Sequence, residues 1–421
     1  MDRLIALLDG REIGQLHRDR NGRASFAYAE DWQADPDAYP LSLSMPLAST
    51  HHTSRVVEPY LWGLLPDNEQ VLSRWAMRFQ VSARNAFALI AHVGEDCAGA
   101  VQFVTEERIE AIRSGAGDKI TWLNEDAIAE RLRALREDAS AGRQPRDAGQ
   151  FSLAGAQPKT ALIQIGKRWG IPSGRIPTTH ILKPPSGAFD GYAENEHFCQ
   201  TLARALGLPA ALSRVVHFRD ETAIVVERFD RIRIGKDIHR VHQEDTCQAL
   251  AVMPTKKYQN EGGPGLKEIV DLLDIHSSER DTDIETFLRA TIFNWLIAGT
   301  DAHAKNYAIL ISGQNRRRLA PLYDLSSTLP YKELDPKRLK LSMKIGGEYE
   351  LQAIGLRQWQ KHAQALRRSE DQLLATIKAM ADRLPDEASS VITAMKDQGL
   401  DHAILSKMKD AAIKRVKQCT R

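Results

Sequence analysis

Residues 294–310 read NWLIAGTDAHAKNYAIL, in which a polar insert from Thr300 through Asn306 separates the apolar arms NWLIAG and YAIL. Burying polar side chains between hydrophobic segments is unfavourable unless something satisfies them. Asp301 and Asn306 stand five positions apart in the insert, and Asp324 follows in LAPLYDLSS. An Asp-x-x-x-x-Asn loop trailed by a second Asp has the parts that phosphoryl transfer on a kinase-like fold requires. The first Asp orients an acceptor hydroxyl and takes its proton; the Asn and the second Asp hold magnesium on the β- and γ-phosphates. Magnesium is a hard cation that prefers oxygen ligands, and a loop supplies them without a dedicated cage. The bare spacing also occurs in caps and turns, so the trailing Asp carries the distinction.

The same chemistry needs a cation for the α- and β-phosphates. THILKPP offers Lys183 near the end of an expected strand, and the following helix carries Glu194 and Glu196, either of which could pair with it; Glu196 is preferred. Upstream lies FSLAGAQPKTAL, a small-residue loop before a strand, of the kind that brings backbone N–H groups onto phosphate oxygens. It holds Gly155 but no G-x-G-x-x-G, and Ser152 and Lys159 gain interest only from these neighbours. VVERFDR sits where a hinge strand would pass an adenine, with backbone groups of Glu227 to Phe229 reading it and Phe229 either on the ring or in the core. His303 has no partner histidine at ligand spacing and reads as a loop-orienting hydrogen-bonder; His51-His52 reads as an exposed loop pair. Gln243-Glu244-Asp245 is expected to open a helix, EDTCQALAV, where acidic residues suit the dipole.

Elements must hold these residues in place. LIALLDGREIGQL with its Asp9-Gly10 turn, and Asn21-Gly22 before ASFAY, predict antiparallel strands over the first fifty residues. From Pro59 to Val93 the apolar spacing turns helical, GAVQFV is a short strand, and NEDAIAERLRALRED a charged helix. The polar segment ASAGRQPRDAGQ at 139–150 marks a boundary. TALIQIG, THILKPP and TAIVVERFD then read as strands and ENEHFCQTLARALGL as a helix ending at Gly207, with mostly helix beyond residue 240. This order describes an α+β chain with a strand-rich N-lobe and a helical C-lobe. At 421 residues, two or three domains are expected. A net charge of +2 is too mild to predict a nucleic-acid partner, and the clusters Arg316-Arg317-Arg318 and Lys407 to Arg421 read as solvated faces. Cys97, Cys199, Cys247 and Cys419 form no C-x-x-C pair, so neither a disulfide framework nor a zinc site is expected. No apolar stretch is long enough for a bilayer, and a cytoplasmic location is expected.

Taken in order, SLAGAQPKTAL, HILKPP, ENEHFC, VVERFDR, HQEDTCQAL, GGPG at 262–265, TDAHAKN and LYDLSS resemble the HipA family, serine/threonine-kinase toxins of bacterial type II toxin–antitoxin systems. LWGLLPDNE at 61–69 is similar to its N-terminal subdomain, so the resemblance spans nearly the whole chain. It implies a protein-kinase-like bilobal fold with an appended small N-terminal α/β domain: residues 1–110 as that subdomain, 111–150 as a helical and polar connector, 151–240 as the N-lobe and 241–421 as the helical C-lobe. It implies Asp301 as the catalytic aspartate, Asn306 and Asp324 as magnesium ligands and Lys183 as the ATP lysine. ATP contacts are further expected from Ala154, Gly155, Ala156, Gln157 and Lys159, from Glu227 and Phe229, and from His303, Lys305, Asn306, Tyr323 and Asp324. Ser152 matches a serine that family members autophosphorylate, ejecting the loop and abolishing ATP binding. The resemblance also implies a HipB-like helix-turn-helix antitoxin, operator DNA reached through that complex, and an aminoacyl-tRNA synthetase as substrate. Two departures stand out: Gln157-Pro158-Lys159 replaces a common Gln-Glu-Lys, removing one backbone donor, and Ala302 replaces a glycine of some relatives. The expected function is therefore an ATP-dependent protein kinase toxin. Its rivals are a small-molecule phosphotransferase of the same fold class and a DNA-binding co-repressor subunit.

Overall fold

The computed structural model describes residues 2–142, 151–185 and 189–419. Part of the polar boundary segment (143–150) and the last two residues of the basic tail lie outside the described residues. The chain divides into two compact units, one of Met1–Ser186, Val216–Thr255 and Ala308–Arg317, the other of Gly187–Val215, Lys256–Tyr307 and Arg318–Arg421. These units are discontinuous in sequence, whereas the stretches expected from sequence are consecutive.

In the first unit a five-stranded antiparallel sheet runs in the order His51–His52, Ala24–Tyr28, Arg11–Arg18, Arg3–Leu8, Val101–Val104. The Asp9-Gly10 turn joins Leu8 directly to Arg11, with φ of 45° and 83°, both positive as a two-residue type I′ hairpin requires. At Asn21-Gly22 the loop is longer: the Asp19 carboxylate accepts from the backbone N–H of Asn21 at 2.8 Å and Arg23 at 2.9 Å. Leu4, Ala6 and Leu8 face a core shared with the helices Ser54–Leu64, Glu69–Phe79 and Ala86–Val93 through Tyr60, Leu64, Trp75, Phe87 and Ile90. Ile5 and Leu7 face the helix Glu106–Ser114 through Ile109 and Ile112, which explains why the strand is apolar at every position after Arg3 rather than alternating.

A second large sheet of the first unit carries, side by side and antiparallel, Glu221–Glu227, His180–Lys183, Thr160–Ile165, Arg168–Ser173 and Lys119–Leu123. Helix Glu125–Glu137 covers one face, Ile128 and Leu132 packing on Leu162, Leu182, Ala223 and Val225. The stretch expected as a connector thus supplies an edge strand and a covering helix. KITWL escaped notice because its exposed, mixed-polarity face lacks clean alternation.

Two expectations are corrected. His51–His52 is not an exposed loop pair but a short strand paired with Ala24–Tyr28, with His52 buried. Gln243-Glu244-Asp245 does not open a long helix: His242–Asp245 is a strand paired with Ala308–Ser312, the YAIL arm, and only Thr246–Ala249 is helical. Asp245 caps that single turn in a capping box with Gln248, while Glu244 points away from it and accepts from Ser42 Oγ at 2.5 Å and Leu43 N–H at 2.7 Å. A four-residue polar run such as HQED carries no periodicity that separates strand from helix.

The second unit is mostly helical: Tyr192–Ala205, Leu266–His276, Arg280–Leu296, Leu356–Ala365, Glu370–Asp397 and Ala403–Cys419, with the strand pair Lys340–Ile345 and Glu348–Glu350. Helix Arg280–Leu296 is its centre, burying Phe287, Phe293 and Trp295, the last edge-on to Trp359 at 5.6 Å.

Candidate active site

Helix Arg280–Leu296 delivers the polar insert. Past its end Ala298 takes a left-handed φ of 53°, and Gly299 N–H bonds back to the Asn294 carbonyl at 2.7 Å. A Cβ on Gly299 would lie 2.5 Å from Asn294 Oδ1, so the helix exit fits closely only with glycine. Asn294 also reaches forward, donating from Nδ2 to the Tyr307 hydroxyl at 3.3 Å and so linking the two arms of the insert.

Between the arms the loop is held by its own backbone. His303 N–H donates to the Asp301 carbonyl at 2.8 Å and Asn306 N–H to the His303 carbonyl at 2.9 Å, leading into a 3₁₀ turn at Ala304–Asn306. His303 is buried, its ring edge-on to Tyr258 at 5.0 Å. Asp301 is exposed, and its Oδ1 accepts from the Tyr258 hydroxyl at 2.6 Å. Ser342 Oγ donates to the Thr300 carbonyl at 2.6 Å, bracing the residue before Asp301. Neither Tyr258 nor Ser342 was singled out from sequence, because each reaches the loop from some forty residues away.

The LYDLSS segment is fixed beside this loop. Leu322 N–H donates to the Pro209 carbonyl and Ala211 N–H to the Leu322 carbonyl, both at 2.8 Å. The Tyr323 hydroxyl donates to the Lys305 carbonyl at 2.6 Å, which brings Tyr323 and Asp324 to the DAHAKN loop. Asp324 sits at φ 53°, a left-handed conformation that aspartate tolerates better than most residues. Three residues on, Asn195 clamps Ser327 from both sides, donating to its carbonyl at 2.8 Å and accepting its N–H at 2.9 Å. The flanking Glu194 and Glu196 are both buried, and Glu196 accepts from Gln200 Nε2 at 3.0 Å.

Asn306 differs from its neighbours. It is 7% exposed, yet its carboxamide has no hydrogen-bond partner among the described residues. The amide atoms themselves are not sealed from solvent, so they stay open to a ligand. Asn306 and Asp324 offer amide and carboxylate oxygens, the donor set that fits magnesium. Among the described residues no three His, Cys, Asp or Glu side chains gather around a metal, and magnesium shared with substrate phosphates does not need them.

In the first unit, Lys183 ends the strand His180–Lys183 opposite Ile224 and is buried. Glu227, exposed, ends the neighbouring strand opposite His180; Arg228 N–H then bonds the Thr179 carbonyl at 2.9 Å, and Phe229 is half-buried rather than a core residue. The Ser152–Lys159 loop turns at Gly155, whose φ is +96°, and closes on itself as Lys159 Nζ donates to the Ala154 carbonyl at 2.6 Å. Asp67 N–H tethers it through the Gly155 carbonyl at 3.2 Å. The N–H groups of Ala156 and Gln157 make no hydrogen bond among the described residues, as an oxyanion-receiving loop requires. Ser152 is fully buried, its hydroxyl donating to the Leu64 carbonyl at 2.7 Å.

This architecture is that of a kinase-like α+β protein. Residues 151–388 match the HipA-like C-terminal domain and residues 4–104 the HipA N-terminal domain. The chain belongs to the HipA family. It is 38% identical to a Sinorhizobium fredii protein named provisionally as the kinase Y4mE, over 97% of this chain and 96% of that one. It is 30% identical to the serine/threonine-protein kinase toxin HipA of Shewanella oneidensis, over 93% of this chain and 89% of the other. A solved structure of Shewanella oneidensis HipA, in a complex with HipB and its operator DNA, superposes with a TM-score of 0.84 at 27% identity, covering 99% of this chain and 97% of that one.

Proposed function

We propose that this chain is an ATP- and magnesium-dependent protein serine/threonine kinase, acting as the toxin of a type II toxin–antitoxin system. The observation that carries the reading is the second unit's loop pair, in which the Tyr323–Lys305 hydrogen bond sets Asp324 beside a loop holding exposed Asp301 and the unpartnered amide of Asn306. Asp301 takes the proton of a serine or threonine hydroxyl as its oxygen bonds to the γ-phosphorus and the bond to the ADP oxygen breaks. Asn306 and Asp324 would hold magnesium, which when bound neutralises charge on the phosphates. Lys183 supplies positive charge for the α- and β-phosphates, and the Ala154–Lys159 loop its N–H groups. Glu227 and Phe229 are assigned to the adenine, and His303, Lys305 and Tyr323 to keeping the loop in place beside ATP. We assign residues 1–110 to the appended subdomain, 111–150 to the helical and polar connector, 151–240 to the N-lobe and 241–421 to the C-lobe.

Labelled phosphate transfer from ATP tests the reading: Asp301→Ala should lower it by about 10²–10⁴-fold, and equal incorporation in both proteins would defeat it.

The finer assignments rest on kinship. A HipB-like helix-turn-helix antitoxin and, through it, operator DNA are inferred from the company kept by the Shewanella protein. An aminoacyl-tRNA synthetase is the substrate we favour, in the cytoplasm; among the described residues no helix is long and apolar enough to cross a membrane. Autophosphorylation is placed at Ser152. A phosphate there would add about two negative charges and remove the hydroxyl's bond to Leu64, so the segment must leave its seat to be modified. Mass spectrometry of protein made without antitoxin should find phosphate on Ser152, and label elsewhere with Ser152 untouched would reject the assignment.

A further inference from the structure

The geometry points to Tyr258 as a positioning residue for the carboxylate of Asp301, an inference that rests on the kinase reading above. Asp301 is exposed, and a carboxylate on an exposed loop samples several rotamers unless something holds it. Tyr258 supplies that hold: its hydroxyl donates to Oδ1 at 2.6 Å. Oδ1 is thereby engaged, and Oδ2 is left to receive the acceptor's proton. In the transfer step the acceptor O–H bond breaks toward Oδ2, the oxygen–phosphorus bond forms, and the bond to the ADP oxygen breaks with its electron pair. Tyr258 keeps its own proton throughout.

The ring is fixed independently of that hydrogen bond. It stands edge-on to His303 at 5.0 Å, and the neighbouring Lys257 carbonyl accepts Ala304 N–H at 3.4 Å, so the Tyr258 segment touches the loop at backbone and side chain alike. On its other side Gln259 Oε1 accepts Lys344 N–H at 2.7 Å, in the strand whose Ser342 braces Thr300. The GGPG run finds its reason here. Gly263 N–H and Glu261 N–H both bond the Tyr258 carbonyl at 3.0 Å, and a Cβ on Gly263 would meet the Lys256 carbonyl oxygen at 1.9 Å. The tight turn that presents Tyr258 accepts only glycine at that point.

The test compares Tyr258→Phe, Tyr258→Ala and Asp301→Ala in the full chain by single-turnover transfer of labelled γ-phosphate, with KM for ATP and melting temperature measured on each. Tyr258→Phe keeps the ring on His303 and removes the hydroxyl. We expect it to lower kcat by about tenfold to a hundredfold while KM for ATP and melting temperature stay at wild-type values, and Tyr258→Ala to be at least as slow. Wild-type kcat in Tyr258→Phe overturns the inference. So does a loss in Tyr258→Phe that arises through KM or melting temperature, because either marks a structural role. Full activity in Asp301→Ala would instead remove the kinase assignment itself, whatever Tyr258 does.

Discussion

Two polar regions of this protein are built in opposite ways. In the first unit, Asp96 and Asp230 lie buried among Arg228, Arg231 and Arg240. Asp96 accepts from Arg231 at 2.9 Å, from Thr178 Oγ1 at 2.7 Å and from Thr178 N–H at 3.0 Å; Asp230 accepts from Arg228 at 2.9 Å and Gly99 N–H at 2.7 Å. Burial alone would raise Asp96, but Arg231, Arg240 and Arg228 override it and hold the carboxyl at about 2. The guanidinium groups are engaged in turn by the Cys97 and Gly99 carbonyls, and among the described residues Arg231 Nε is the one buried nitrogen of the three arginines without a partner. In the second unit, the DAHAKN loop leaves the solvent-reached Asn306 amide without a partner among the described residues and the Asp301 carboxylate at the surface. A polar group whose valences are filled by protein holds the fold together; one left open is available to something else.

That contrast can be broken experimentally, beginning where the effect is largest. Asp230→Ala strands buried guanidinium charge and should cost about 3–5 kcal/mol, read as a lowered denaturation midpoint; a loss near zero would show the cluster to be dispensable. Glu244 is an intermediate case, buried but bonded to Ser42 and Leu43. Burial raises it to about 8 from 4.5, so the folded state keeps its proton while the unfolded chain ionises. Stability should therefore fall as pH rises through that window, by about 2–3 kcal/mol between about pH 6 and 8. Glu244→Gln should flatten the dependence, and an unchanged slope would place the titration elsewhere. Asn306→Leu should invert the pattern of Asp230→Ala, with stability kept within about 1 kcal/mol or slightly raised and phosphate transfer reduced on the order of 10²-fold. Marked destabilisation would mean the amide is structural after all. The smallest effect belongs to the exposed Lys267–Asp271 pair one helical turn apart, whose removal by Lys267→Ala should cost no more than about 0.5 kcal/mol in the same unfolding assay.

What could be read from sequence was local. Asp9-Gly10 fixes its hairpin through two positive φ values that those residue types tolerate, and Asp301, Asn306 and Asp324 announce themselves by spacing along a short stretch. What could not be read is tertiary. Tyr258 and Ser342 meet the loop only because a glycine turn and a strand return them to it. Asn195 holds Ser327 because a carboxamide can both donate to and accept from one backbone residue, a role no local pattern announces. HQED reads as a run of helix-dipole acids because nothing in it announces that Ser42 and Leu43, two hundred residues earlier, supply the donors for Glu244.

The left-handed backbone at Asp324 narrows the alphabet of that position before any chemistry is asked of it. Glycine, asparagine and aspartate adopt such a φ with least strain, and of these only aspartate is anionic. A glutamate would keep the charge and fight the chain; an asparagine would keep the chain and lose the charge. Shape and valence thus select the same residue independently, and Asp324→Asn separates them, since it neutralises the side chain while leaving the bend at ease.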